Sequence, residues 1–334
     1  MGHYLLRRLG FVVFVLIGIT VLTFLLQRVV PGNPARLMAG TRASERVVQQ
    51  VRNQLGLDRP LWDQYASYMS RLLRGDLGQS VVTRNPVTSD LTSYVPATLE
   101  LVLFALLIGS VAGIALGSLS AIRGGAVDVG GQSMGTAALS VPIFWVAVVL
   151  QLVFFSRLGI LPFGGRLDVG AAPPPTITGL FTIDSLLSGN FSLFAQALHH
   201  LILPATALAI PEAGLVAKTA RASMLEVLGR DFVRTAKAKG LSPLRIYFRH
   251  TLRNALLPVV TVLGLDFGLL ISGTVLIESI FSWPGLGQYT FHAIASSDYN
   301  AVMGVTIVVA VAYVLINLAV DILYVYLDPR VRLA

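Results

Sequence analysis

The sequence predicts an all-α polytopic membrane protein with six transmembrane helices and both termini on the cytoplasmic side, and three observations carry that prediction. Hydrophobic residues are 54% of the 334-residue chain and charged residues 13%, about half the ~25% charged content of soluble domains. Six apolar stretches are long enough to cross a hydrocarbon core about 30 Å thick, which takes roughly 20 helical residues. The basic short loops between those stretches all fall on one side, as Lys and Arg retained in the cytoplasm do.

The first span, about 9–30, follows Arg7 and Arg8. Its uncharged run to Leu26 is longer than a signal-peptide core and no small-x-small cleavage site follows, so residues 1–30 are read as a retained anchor. Pro31-Gly32-Asn33-Pro34 breaks that helix and opens an external cap, 31–97. Within the cap, Val47–Leu55 reads as a short helix. Trp62–Leu73 reads as an amphipathic one with Trp62, Tyr65, Tyr68, Met69 and Leu72 near one face, closed by Gly75-Asp76-Leu77-Gly78.

The core, 98–327, holds spans at about 98–122, 133–156, 199–220, 258–281 and 302–327, followed by a cytoplasmic tail, 328–334. The second span carries Gly109, Gly113 and Gly117, a smooth strip that lets another backbone approach, either within the chain or from another subunit. The loop 157–198, with Pro173-Pro174-Pro175, is predicted irregular. The fourth span contains His199, His200, Pro204, Pro211 and Glu212, and the two prolines are expected to kink it. Arg7 and Arg8, Arg123, the basic segment after span four, and Arg330 and Arg332 share one side, whereas the 282–301 loop has no Lys or Arg.

Several function classes are excluded. The net charge of +8 belongs to topology-setting loops, with no separate basic domain for nucleic acid. There is no cysteine, so disulfides and thiolate metal sites are ruled out. A phosphate loop needs G-x-x-x-x-G-K-[ST]. The nearest approach ends in Lys218-Thr219, with Glu212 and Ala217 where the glycines belong. The five histidines, His3, His199, His200, His250 and His292, show no metal-ligand spacing. Ser, His and Asp occur in no nucleophile-elbow context, so no catalytic residue is assigned.

The segment Ser223–Pro258 is the most distinctive. The stretch from Lys218 to Arg253, which overlaps it, holds nine Lys or Arg against Glu226 and Asp231. A helix from about Met224 to Lys239 is predicted to gather Leu225, Leu228, Phe232 and Ala236 on one face. Gly240 suits the C′ position; Ser242 and Pro243 suit the N-cap and N1 of a second helix through His250. Two caps in register predict a rigid turn rather than a slack loop.

Arg234-Thr235-Ala236-Lys237-Ala238-Lys239-Gly240 resembles the EAA loop of ABC-importer membrane subunits, with Arg234 and Thr235 in place of the Glu and first Ala. The R-T-A-x-A-K-G form is that of the dipeptide/oligopeptide/nickel permeases. Arg7-Arg8-Leu9, Pro31–Pro34, Leu55–Asp58, Gly75–Gly78, Pro96–Glu100, Pro142–Trp145, Glu278–Gly287 and Asp328–Arg330 also resemble that family, with Asn33 where Asp is common. The chain is most similar to the first, B-type, dipeptide permease. The resemblance implies a type I importer fold in a bacterial inner or plasma membrane. It also implies a sister permease, two ATPase subunits holding ATP and Mg, and an external solute-binding protein. It makes 223–256 the coupling segment, with Arg234 through Leu241, Ser242 and Pro243 touching an ATPase, and no cofactor in this chain.

Ionisable and polar groups inside spans are functional candidates by default. Asp266 in span five and Asn317 in span six are therefore read as translocation-path candidates, Asp266 facing a peptide's amino terminus. Glu278 with Trp283 and Pro284 at the external end of span five is read as a gate or binding-protein contact. The implied cargo is a dipeptide or short oligopeptide, with nickel, glutathione or another small solute as same-fold alternatives. An intramembrane hydrolase or an ATP-independent channel are the alternatives of another class.

Overall fold

A computed structural model describes residues 2–29, 36, 43–54 and 56–327. The Pro31–Pro34 break and the Arg330 and Arg332 tail lie outside the described residues. The helices in order are α1 (Gly2–Val29), α2 (Glu45–Gln54), α3 (Leu61–Leu73), α4 (Val87–Arg123), α5 (Gly125–Ser140), α6 (Ile143–Leu150), α7 (Phe181–Leu187) and α8 (Phe191–Leu228). They continue with α9 (Asp231–Ala238), α10 (Pro243–Ile280), α11 (Leu286–Ala295) and α12 (Tyr299–Leu327). No strand occurs among the described residues, in agreement with the predicted all-α class.

Four helices are long and apolar enough to cross a bilayer: α4, α8, α10 and, in α12, Tyr299–Val320. The bent pair of α5 with α6 brings the number to five, and the apolar Gly10–Leu25 of α1 is shorter. The predicted six spans are thus four or five by this measure among the described residues. The predicted span 133–156 is two helices meeting at 99°. Val141 is extended (ψ 129°) ahead of Pro142, because proline lacks an N–H and its ring disfavours helix in the residue before it. α4 starts eleven residues earlier than the predicted 98 and runs through Pro96. α8 runs through both Pro204 and Pro211.

The chain divides into two compact units, Met1–Val95 with Gln288–Val314, and Pro96–Gly287 with Leu315–Ala334. In the first, Tyr65 and Tyr68 of α3 pack on Phe24 of α1 at centroid distances of 5.4 and 6.0 Å. Trp62, predicted on that face, is instead 75% exposed on the first turn; the contact with α1 begins one turn later. Buried Asp298 accepts from Ser80 Oγ at 2.6 Å and from the Val81 amide at 2.7 Å. Buried Asp90 accepts from Tyr289 Oη at 3.0 Å and from Thr83 Oγ1. Burial, then the Asp90 carboxylate, push the Tyr289 phenol up, so it remains the donor.

In the second unit, α8 is the central helix, packed on α5, α6, α7 and α10. Its approach to α4 follows the glycine strip. A Cβ on Gly113 would lie 2.7 Å from the Ala213 carbonyl oxygen, and one on Gly117 only 2.3 Å from that of Ala217. The strip therefore serves packing within the chain. On the α5 side, Gly214 of α8 meets the Gly135 backbone, where a Cβ would come within 2.7 Å of its oxygen. Backbone cannot yield as a flexible side chain can, so these contacts demand glycine.

Gly117→Ala is accordingly expected to destabilise the detergent-solubilised chain by about 1–3 kcal/mol, the usual penalty of overpacking. Thermal unfolding should show it. Gly10→Ala, with no atom within 4 Å of the added Cβ, is the control expected to leave the midpoint unchanged.

Candidate functional site: a basic turn, an external clamp and an intramembrane acidic pair

The basic turn is built from three local rules. α8 stops at Leu228, Gly229 and Arg230 turn the chain, and α9 begins at Asp231. The single helix predicted over Met224–Lys239 is therefore two, with Arg230 extended at ψ 151° between them. That break resets the helical phase. Met224, Val227, Val233 and Ala236 are buried, whereas Leu225 and Phe232, predicted on the inner face, are exposed.

The end of α9 is a Schellman motif. The Gly240 amide donates to Lys237 O at 3.0 Å and the Leu241 amide to Ala236 O at 3.3 Å. Gly240 stands at φ +73°, where a Cβ is penalised. Ser242 (ψ 145°) and Pro243 then occupy N-cap and N1 as predicted, though the Ser242 side chain makes no capping bond. The following helix does not end at His250. It widens to a π-helical stretch, Ile246–Leu252, and continues as α10 to Ile280.

Val233 and Ala236 of α9 enter one apolar cluster with Ala121 of α4, Met224 and Val227 of α8, and Ile246 and Ala255 of α10. The turn is thus seated on the ends of three long helices. Its outer surface carries Arg234, Thr235, Lys237, Ala238, Lys239, Ser242 and Pro243, all exposed. Arg234 pairs loosely with Asp231 at 3.3 Å, a contact of little energetic weight at this exposure.

At the other end of α4, sequence reading missed a buried ion pair. Arg166 donates to Glu100 at 2.6 Å and to Gly179 O at 2.9 Å, with its guanidinium 3.5 Å from the Phe181 ring centroid. Glu100 also accepts from the Thr182 amide and hydroxyl, each at 2.7 Å, so it anchors the start of α7. Burial pulls Arg166 down and the Glu100 charge opposes that; guanidinium nonetheless stays charged. Burial alone would raise Asp184, but the Thr178 hydroxyl and the amides of Thr178, Ile177 and Gly179 outweigh it and hold the carboxyl below its usual range. The loop predicted irregular therefore contains a fixed helix and a fixed turn. Pro96–Glu100 showed an acid at this position, but nothing in sequence paired it with Arg166, 66 positions on.

Glu278 and Trp283, predicted as a gate or binding-protein contact, are buried here, at 0% and 1% exposed. Thr98 Oγ1 donates to Glu278 at 2.6 Å, and Trp283 Nε1 donates to Ala97 O at 2.9 Å. Pro284 is exposed. A Cβ on Gly285 would fall 2.3 Å from Glu278 Oε1, which explains glycine in that turn. His200 bridges the Gly164 carbonyl and Asp168, each at 2.9 Å; the bond from His200 holds the Asp168 carboxyl below its usual range. Among the described residues no cluster of three or more His, Asp or Glu is placed to hold a metal ion.

Within the membrane helices, Asp266 is half-buried on α10 and Asn317 half-buried on α12. Asp266 interacts with Glu212 of α8, which is 2% exposed. Gly109 supplies the space, because a Cβ there would lie 2.5 Å from Glu212 Cγ. Glu212 was legible as an acid in the fourth span, but its partner, 54 positions away in sequence, was not.

Long apolar helices, a capped basic turn joining two of them and a pinned opposite end define a polytopic membrane subunit of the transport class. Residues 113–333 match the family of binding-protein-dependent transport system inner membrane components, and residues 1–102 match the N-terminal family of such membrane components. The chain belongs to this family and is a multi-pass inner-membrane transport subunit. It is 47% identical over 320 residues to the probable D,D-dipeptide transport system permease protein DdpB of Escherichia coli (strain K12), covering 96% of this chain and 94% of that one. It is 42% identical over 330 residues to the dipeptide transport system permease protein DppB of Alkalihalophilus pseudofirmus, covering 98% and 99%. A solved structure of the MetNI methionine ABC transporter is similar in fold alone, with a TM-score of 0.52, 17% identity, and 70% and 93% coverage.

The clamp yields two expectations. Arg166→Met strands the Glu100 carboxylate and is expected to cost about 3–5 kcal/mol of stability, read as a lowered unfolding midpoint and partly restored by adding Glu100→Gln. Asp184, depressed in the folded state, contributes stability that is present above the ordinary aspartate pKa, about 3.9, and is lost as pH falls through its lower folded value. Wild type should therefore lose more stability than Asp184→Asn between about pH 5 and pH 2.

Proposed function

We propose that this chain is a permease subunit of an ATP-driven importer for dipeptides or short oligopeptides. A sister permease would complete the translocation path. Two ATPase subunits would bind ATP and Mg, and an external solute-binding protein would deliver the peptide. The names of the two permease relatives support the cargo class, and the family description supports delivery by a binding protein.

The observation that carries the coupling role is the seating of α9. A short helix closed by a Schellman turn at Gly240 and packed into the ends of α4, α8 and α10 is stiff enough to pass on a displacement. Its outer residues, Arg234, Thr235, Lys237, Ala238, Lys239, Gly240, Ser242 and Pro243, are open for a partner, while Ala236 and Leu241 seat the turn. On this reading the turn faces the cytoplasm, the exposed surface contacts an ATPase subunit, and closure of the ATPases moves the three helix ends together. The broader segment 223–256 supplies the remainder of the contact. Asp266 and Asn317 are assigned to the path. At the external end Pro284 offers the accessible surface, while Glu278 and Trp283 hold the turn behind it.

Gly240→Val should strain the φ +73° turn and cost about 1–2 kcal/mol locally. The importer should still assemble and co-purify with both ATPases, yet peptide uptake in reconstituted vesicles should fall by at least about tenfold. ATP-driven uptake at the wild-type rate would rule out the turn as the coupling element.

A further inference from the structure

Glu212 is the most exceptional polar group in the core. It is 2% exposed, lies in the middle of a membrane-crossing helix, and meets no hydrogen-bond donor among the described residues; the one group within reach of its carboxyl is a second acid, Asp266. A buried polar group without partners costs about 1–3 kcal/mol or more, and valine or leucine at this place would cost nothing of the kind. Space was nevertheless made for it, since Gly109 admits Glu212 where any side chain would collide.

The charged group that acts on Glu212 is another acid, Asp266 of α10. No salt bridge among the described residues reaches either carboxyl. Asp266 is half-buried, with Leu265 and Leu269 exposed beside it on α10. An acid at this depth cannot face lipid tails at acceptable cost and therefore faces protein or water. The pair thus presents negative potential through Asp266, from a low-dielectric wall, with no ion pair to a base among the described residues. Such a wall strengthens attraction for a cation.

We infer that Glu212 and Asp266 form an acidic binding site for the ammonium group of the transported peptide, Asp266 making the contact and Glu212 positioning it. The inference rests on the peptide-importer reading above. Free peptides carry one α-ammonium whatever their side chains, so a single acidic locus would recognise the feature common to every such substrate. It would leave side-chain selection to other parts of the system.

The test uses the complete importer, with sister permease, ATPases and binding protein, reconstituted in vesicles and supplied with radiolabelled dialanine. Asp266→Asn is expected to lower uptake about tenfold or more, the loss of one charge-assisted bond, and to raise the ATP consumed per peptide delivered by a similar factor. Asp266→Glu, which keeps the charge, should recover most of the uptake. Glu212→Gln should lower uptake in the same direction by a smaller factor. Wild-type uptake by Asp266→Asn would overturn the site. So would loss of assembly in Asp266→Asn, which would assign the carboxylate to subunit packing. Failure of the wild-type importer to take up any peptide would instead sink the peptide reading itself.

Discussion

The backbone-to-backbone approach of α4 and α8 is the constraint on which the rest of the second unit depends. In lipid there is little hydrophobic gain from bringing two apolar helices together, so close packing has to supply the attraction. Gly109, Gly113 and Gly117 remove every side chain from one face of α4, and α8 fills that face with Glu212, Val216 and the carbonyls of Ala213 and Ala217. Gly214 repeats the device against Gly135 on the other side of α8. A helix held this closely on two faces has its axis and its rotation fixed, and everything attached to its ends inherits that position.

Both ends use the inherited position. At the basic end, Met224 and Val227 of α8 help form the cluster that receives α9. At the opposite end, His200 of α8 holds Asp168 and the Gly164 carbonyl, while Glu100 at the other end of α4 takes Arg166 and the start of α7. The chemistry of the two ends differs for a physical reason. The outer surface of the turn is open and basic, with its energy in apolar seating rather than in ion pairs. The clamp is buried, so its ion pair needs further bonds to be tolerated: Glu100 meets three donors and Arg166 adds the Gly179 carbonyl and the Phe181 ring, though its Nε is left without a partner.

What could be read from sequence was whatever depends on neighbours in sequence. The glycine strip, the Gly240 stop and the Ser242-Pro243 start are local signals, and each stands where it was placed. The errors are also local in origin. Hydropathy alone carried the third span across Val141-Pro142, and helical periodicity carried α8 across Gly229-Arg230, which put Leu225 and Phe232 on the wrong face. The pairings of Glu100 with Arg166 and of Glu212 with Asp266 join residues 66 and 54 positions apart by residue number. No periodicity reports such a contact; only the three-dimensional course of α4, α8, α10 and the loop that carries Arg166 brings them together.

The same geometry argues that the turn and the acidic pair are mechanically one object. α8 and α10 bear Glu212 and Asp266 at mid-span, and both helices end in the cluster that seats α9. Val216, Ala220 and Val259 form a second buried cluster, with Leu256 and Leu263 packed against it, at positions between the two. On the proposed reading, a displacement applied to α9 would be resisted by the backbone contacts of α8 along α4 and taken up where α10 meets α8. The π-helical stretch Ile246–Leu252, whose bonding is looser than that of an α-helix, lies at the point where α10 leaves the turn. On the proposed reading, motion entering there would act on the relation of Asp266 to Glu212 before it reached the clamped opposite end, the order that a transport cycle driven from the basic side requires.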